Sequence, residues 1–257
     1  MGGLTSLLLL LCVGVTVSAV LDLQKRIIGG DNCLDNQRMY HVKLINEVDL
    51  LECGGSLLKN NWILTAAHCW MWGMKAVVAV HPGAKLKTVV ITAPPVMYGD
   101  NQNRIHDIML LKLPPLDNLP KITPVDLPVD CTKKPKPGDT VQIAGYGVTK
   151  TKGPNNERDL EGGEADKLQC ANIKLTDCTK LKKIMSDDEL TSYNHFLCGE
   201  TSKVDLSQGD SGGGVMVGNM IYGVFSFMGD AEKAHAADVG FMDVCEYKKW
   251  IEDTTPK

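Results

Sequence analysis

Aromatic residues are scarce. Trp, Tyr and Phe make up 5% of the 257 residues, so aliphatic side chains must fill most of any core. A strong charge of one sign is also missing: the formal net charge is -4, which gives no field to draw nucleic acid or an anionic membrane, and neither is expected as a partner. Beyond the first 19 residues no apolar run is long enough to span a bilayer. No Asn-x-Ser/Thr sequon occurs, so N-glycosylation is not expected. His41, His81, His106, His195 and His235 share no metal-ligand spacing, and neither a metal nor a cofactor is expected.

A length of 257 residues at 44% hydrophobic content allows one large or two small β units. Residues 1–19 carry Leu7 to Leu11 and end in Val17-Ser18-Ala19, the pattern of a secretory signal. Nine cysteines include Cys12 within that signal, leaving an even eight, as expected of an exported, disulfide-bonded chain. Short apolar runs separated by turn signals follow: Met39 to Ile45, Ser56 to Leu58, Lys75 to Val80, Thr88 to Thr92, Ile108 to Leu113, Thr140 to Ala144, Gly214 to Val217 and Ile221 to Ser226. Their β-branched content and regular spacing predict many short strands. At the end, Val244, Tyr247, Lys248 and Ile251 follow a helical spacing, which predicts a terminal helix over Cys245 to Asp253.

The chain centres on Ser207-Gln208-Gly209-Asp210-Ser211-Gly212-Gly213-Gly214. Glycines around one serine let backbone N–H groups turn toward a ligand, although glycine-rich strings also form ordinary turns. Two other stretches favour the chemical reading: Leu64-Thr65-Ala66-Ala67-His68-Cys69, and Arg104-Ile105-His106-Asp107-Ile108. A serine hydroxyl becomes a good nucleophile when an imidazole takes its proton, and a carboxylate holds that imidazole in the right tautomer. With Ile27-Ile28-Gly29-Gly30, these stretches resemble the trypsin-like serine protease family, in its chain order of His, Asp, Ser, from Ile27 to about Trp250.

The resemblance implies an all-β fold of two six-stranded antiparallel barrels, roughly 27–130 and 131–245, with the active site between them and a short C-terminal helix. It implies His68, Asp107 and Ser211 as catalytic residues, and an oxyanion hole from the backbone N–H groups of Gly209 and Ser211. Residues 20–26 then read as an activation segment, cut after Arg26 to free the ammonium of Ile27, which pairs with Asp210. The implied disulfides are Cys33–Cys170, Cys53–Cys69, Cys131–Cys245 and Cys178–Cys198. Two bridges common in trypsins are absent as pairs: Val141 and Val217 stand at one, and Ser207 replaces a cysteine of the other, with no partner near Asp230 or Ala231. The family's calcium site is not carried over, because its acidic cluster is missing.

Substrate binding is implied for Asp205, Ser226, Phe227, Met228 and Val239. Asp205 lies where trypsins keep the carboxylate that receives Lys or Arg, which favours cleavage after basic residues. Met228 and Val239 stand where those enzymes keep glycines. A one-residue slip onto Gly229 or Gly240 would open the pocket, and closed walls would leave Asp205 a buried carboxylate needing a protein partner or water, in an enzyme that prefers small side chains or cuts poorly. Thr149 to Glu164 is expected to be a mobile loop, with Lys150, Lys152 and Arg158 as self-cleavage sites. Lys133 to Gly138 is expected to be a solvated loop stiffened by proline.

The expected protein is therefore a secreted or granule-stored serine endopeptidase, made as a zymogen and acting as a monomer. Its partners would be polypeptide substrates, an activating protease and protein inhibitors. The alternative is a catalytically poor or inactive protease homologue acting as a binding protein, toward which Gly214 in place of the family's proline, the missing bridge and Phe227-Met228 all lean.

Overall fold

The computed structural model describes residues 27–83, 86–115, 122–148, 150–185 and 192–256. The signal and activation segments read from the sequence lie outside them. Asp31–Asn32 (β1), His41–Ile45 (β2), Leu51–Leu58 (β3), Trp62–Thr65 (β4), Lys75–Val78 (β5), Lys87–Val90 (β6), Val96–Gly99 (β7) and Ile105–Lys112 (β8) occupy the first half. The second half holds Thr140–Gly145 (β9), Thr151–Lys152 (β10), Glu157–Arg158 (β11), Gln169–Thr176 (β12), Phe196–Glu200 (β13), Gly214–Val217 (β14), Met220–Met228 (β15) and Val239–Asp243 (β16). Two α-helices, Thr179–Met185 (α1) and Val244–Thr254 (α2), and four short 3-10 turns complete the described elements.

Strands β2 to β8 form a seven-stranded antiparallel sheet in the order β6-β5-β2-β3-β4-β8-β7. In the second half β12, β13, β16, β15, β14 and β9 follow one another and β12 pairs back to β9, so six strands close into a barrel with β1 as an added edge. Barrel closure leaves few unpaired edges, which suits a fold this rich in short strands. Strand β8 is covered on both faces, with Ile108, Met109, Leu110 and Leu111 buried in succession and His106 buried before them. Aliphatic residues dominate the core, as the low aromatic content requires.

The four implied disulfides are all present, Cys33–Cys170, Cys53–Cys69, Cys131–Cys245 and Cys178–Cys198. Helix α2 begins at Asp243, whose carboxylate accepts the Cys245 N–H at 3.0 Å. Its buried face, Val244, Tyr247 and Ile251, packs into the same core as Leu44, Ile63 and Leu110 of the first half. The loop read as solvated contributes here. Lys134 reaches Asp243 at 2.7 Å and Glu246 at 2.8 Å, placing a cation on the carboxylates at the start of α2.

Candidate active site

His68 lies in a 3-10 turn, Ala67–Cys69, directly after β4, and the Cys53–Cys69 bridge ties that turn to β3. Asp107 lies in β8, which pairs with β4. The pairing brings the two side chains together. One Asp107 oxygen accepts the His68 backbone N–H at 2.8 Å and the other lies 2.8 Å from the ring Nδ1. Burial disfavours the His68 cation, but the hydrogen bond and charge of Asp107 outweigh it and raise the pKa above the ordinary 6.5. Ser226 donates its hydroxyl to the same carboxylate oxygen, and Asn194 Oδ1 accepts the backbone N–H of Asp107 at 3.1 Å.

Ser211 enters from the second half, on the loop before β14. His68, Ser211, Gly209, Gln208, Cys53 and Met228 line one cleft of about 790 Å³. Other cavities of about 990 and 1100 Å³ include neither His68 nor Ser211. The Ser211 loop needs its glycines for space. A Cβ on Gly212, where φ is +78°, would stand 2.1 Å from Thr65 Oγ1 and 2.4 Å from the Gly54 carbonyl. The Ser211 carbonyl accepts the Gly54 N–H at 2.7 Å, fixing the loop against β3. Among the described residues neither the Gly209 nor the Ser211 N–H donates to another group.

Beneath this loop Asp210 is fully buried and accepts the N–H groups of Gly147 at 2.7 Å and Ser207 at 2.9 Å. Burial pushes its pKa up to about 6, against the pull of those hydrogen bonds. Ile27 is buried in the core of the second barrel with Val141, Leu206 and Val215. Ser207, at the position of a missing cysteine, donates its hydroxyl to the Val148 carbonyl at 2.6 Å.

The specificity pocket departs from the basic reading. Asp205 is fully buried and its charge is already met inside the protein: Arg158 Nη2 donates to Oδ2 at 2.9 Å, His235 N to Oδ2 at 2.7 Å and Leu206 N to Oδ1 at 2.8 Å. Arg158 is itself 7% exposed, so it is not a self-cleavage site in this conformation. The register does not slip either. Met228 pairs directly with Val239, which is buried, and Met228 packs on the cluster that contains it. Gly229 and Gly240 face elsewhere: a Cβ on Gly229 would meet the Asp238 carbonyl, and one on Gly240 would meet Leu181 and Phe196. An open site for Lys or Arg over a free Asp205 is therefore not what the chain forms. Phe227 turns toward Leu181, Met185 and Cys198.

Sequence reasoning missed three residues, namely Arg158, Asn194 and the hydroxyl of Ser207. Each acts through a contact 47 to 87 positions away, and no local motif marks it.

The sequence model of the trypsin family matches residues 27–251. Curated relatives include a kallikrein-15 of Saguinus oedipus, 30% identical over 239 residues, covering 89% of this chain and 91% of the relative. Kallikrein 1-related peptidase b27 of Mus musculus is 32% identical over 271 residues, with 94% of each chain covered. Among solved structures, neuropsin, a serine protease expressed in the limbic system of mouse brain, superposes with a TM-score of 0.71 at 26% identity, covering 88% of this chain and 99% of the other. With the two β halves, the four bridges and the His68–Asp107 pair facing Ser211 across one cleft, these matches place the chain in the trypsin family of serine proteases.

Proposed function

We propose that this chain is a serine endopeptidase that hydrolyses polypeptides through an acyl-enzyme. Ser211 Oγ attacks the scissile carbonyl while His68 Nε2 takes its proton, and Asp107 holds the opposite ring nitrogen and steadies the imidazolium. The N–H groups of Gly209 and Ser211 receive the oxyanion, each donor worth roughly 3 to 4 kcal/mol in such sites. His68 then protonates the leaving amine, and water deacylates Ser211 by the same route. The two-point grip of Asp107 on His68 within the cleft of Ser211 carries this reading.

Export and activation belong to the same proposal. Four disulfides suit an oxidising compartment, and no helix among the described residues is long and apolar enough to cross a membrane. An external protease cuts after Arg26, the Ile27 ammonium compensates Asp210, and the Gly209–Ser211 loop becomes competent. Protein inhibitors with a complementary loop fit the same cleft.

A second reading, a binding protein without catalysis, is favoured by one observation: Asp205 is already satisfied by Arg158. Labelling with a fluorophosphonate separates the two. The folded chain cleaved at Arg26–Ile27 should label on Ser211, and the uncleaved chain far more slowly. No label on the processed protein would leave the binding reading alone standing.

A further inference from the structure

Residues 151–158 form the small β10–β11 hairpin, and of these eight only Arg158 is buried. The hairpin is strapped to the facing loop by Arg158 N to the Glu232 carbonyl at 2.8 Å and by Ala234 N to the Asn156 carbonyl at 2.9 Å. Its anchor is one guanidinium nitrogen, Nη2, which donates to the Asp205 carboxylate at 2.9 Å, the Asp230 carbonyl at 3.1 Å and the Lys233 carbonyl at 3.5 Å. A carboxylate and two carbonyls converging on one cationic nitrogen is the acceptor set that a guanidinium or ammonium entering from a substrate would need. Here the chain fills it. Arg158 Nε and Nη1 are buried without hydrogen-bond partners, so most of its donors gain nothing from the position. An ion pair kept for stability alone would be expected to satisfy more of them.

The same nitrogen does a second job. Ser207 has lost the cysteine that would bridge toward Asp230, and Arg158 joins Asp205 to the Asp230 carbonyl without a covalent bond. The wall that lacks its disulfide is held by the residue that occupies its acceptors.

We propose that Arg158 is the specificity-determining residue of this site: it holds Asp205 from within, excludes Lys and Arg from the substrate position next to the scissile bond, and leaves a shallow site for small uncharged side chains. This rests on the proteolytic reading, and Met228 with Val239 sets the shallow depth.

Binding of p-aminobenzamidine, read by its fluorescence, tests the assignment without requiring turnover. The chain cleaved at Arg26–Ile27 and its Met228→Gly variant should bind none detectably. Adding Arg158→Ala to Met228→Gly should tighten binding by at least about 100-fold, and adding Asp205→Ser to that pair should abolish it. Equal binding by Met228→Gly with and without Arg158 would overturn the proposal. So would a folded double variant that binds no better. If the double variant gives no cooperative melt, Met228→Gly alone decides, since saturable binding there shows that Arg158 does not hold the carboxylate. A P1-randomised peptide library on the wild type should return small uncharged residues, and enrichment of Lys or Arg would sink the idea. If the benzamidine pattern holds while Ser211 stays unlabelled by fluorophosphonate, the enzymatic reading fails and the occupation of Asp205 by Arg158 stands. Wild-type binding together with a labelled Ser211 gives the reverse.

Discussion

Asp107 grips His68 at two points, its backbone N–H through one carboxylate oxygen and its ring Nδ1 through the other, both at 2.8 Å. The first bond fixes the turn that carries the ring and the second fixes the tautomer. His68 must be neutral to act as a base, and Asp107 raises its pKa above 6.5 against burial. The acid limb of kcat/KM should therefore lie above 6.5 in the processed enzyme. Asp107→Asn should lower the rate by about 10⁴-fold and move that limb down. A pH–rate series on both proteins checks this, and an unmoved limb would detach Asp107 from the titration.

Asp210 gives a second pH dependence with the opposite kind of origin. Its folded pKa, about 6, stands above the ordinary 3.8, so the folded chain binds this proton more tightly than the unfolded chain. In the uncleaved protein its contribution to stability should fall as pH rises from about 4 to about 6, by about 3 kcal/mol in all. Asp210→Asn should then match wild type near pH 4 and exceed it at pH 7. After cleavage at Arg26 the Ile27 ammonium should reverse that order, and the variant should keep its fold but stay zymogen-like in activity. Urea melts of both forms across this range decide, and a difference independent of pH and of cleavage would remove the pair from the mechanism.

Much of this site was legible because the chemistry is carried by short contiguous strings. The surroundings of Ser211 and the turn around His68 need glycine, small residues and cysteine at adjacent positions, so their local sequence displays the family. The C-terminal helix showed for a similar reason, as one amphipathic stretch. Strands β12, β13 and β16 passed unnoticed, since Gln169–Thr176 alternates weakly and Phe196–Glu200 carries a glycine and a glutamate. The substrate position was legible only as a choice. Asp205 advertised a cation, but its owner was 47 positions away in a polar hairpin that reads like any exposed loop.

Ser207→Ala tests the hydrogen bond at the vacated cysteine position. The hydroxyl meets the Val148 carbonyl at 2.6 Å in a buried setting, so its loss should cost about 1 to 3 kcal/mol. Thermal unfolding should register this as a fall of several degrees. A melting point equal to wild type would show that water replaces the hydroxyl there.

Gly212→Ala places a Cβ where φ is +78° and where Thr65 Oγ1 would lie 2.1 Å away. Backbone strain alone costs roughly 1 to 2 kcal/mol and the overlap with Thr65 adds to it. The variant should be destabilised by more than about 2 kcal/mol and should lose fluorophosphonate labelling even where it remains folded. Normal labelling would mean that the loop relaxes without moving Ser211.

Helix α2 follows the last strand of the closed barrel yet settles on the other half, where the Tyr247 hydroxyl meets His106 Nδ1 at 2.7 Å and the Pro256 carbonyl accepts Asn60 Nδ2 at 2.7 Å. Met216, Ile221 and Val224 join Ile63 and Leu110 in one continuous apolar mass across the boundary. His68 and Ser211 thus sit on two halves that, among the described residues, share one packed core. On the proteolytic reading that shared core holds the gap between base and nucleophile, and selection among peptides falls to the side chains around Asp205 and not to the closing of a jaw.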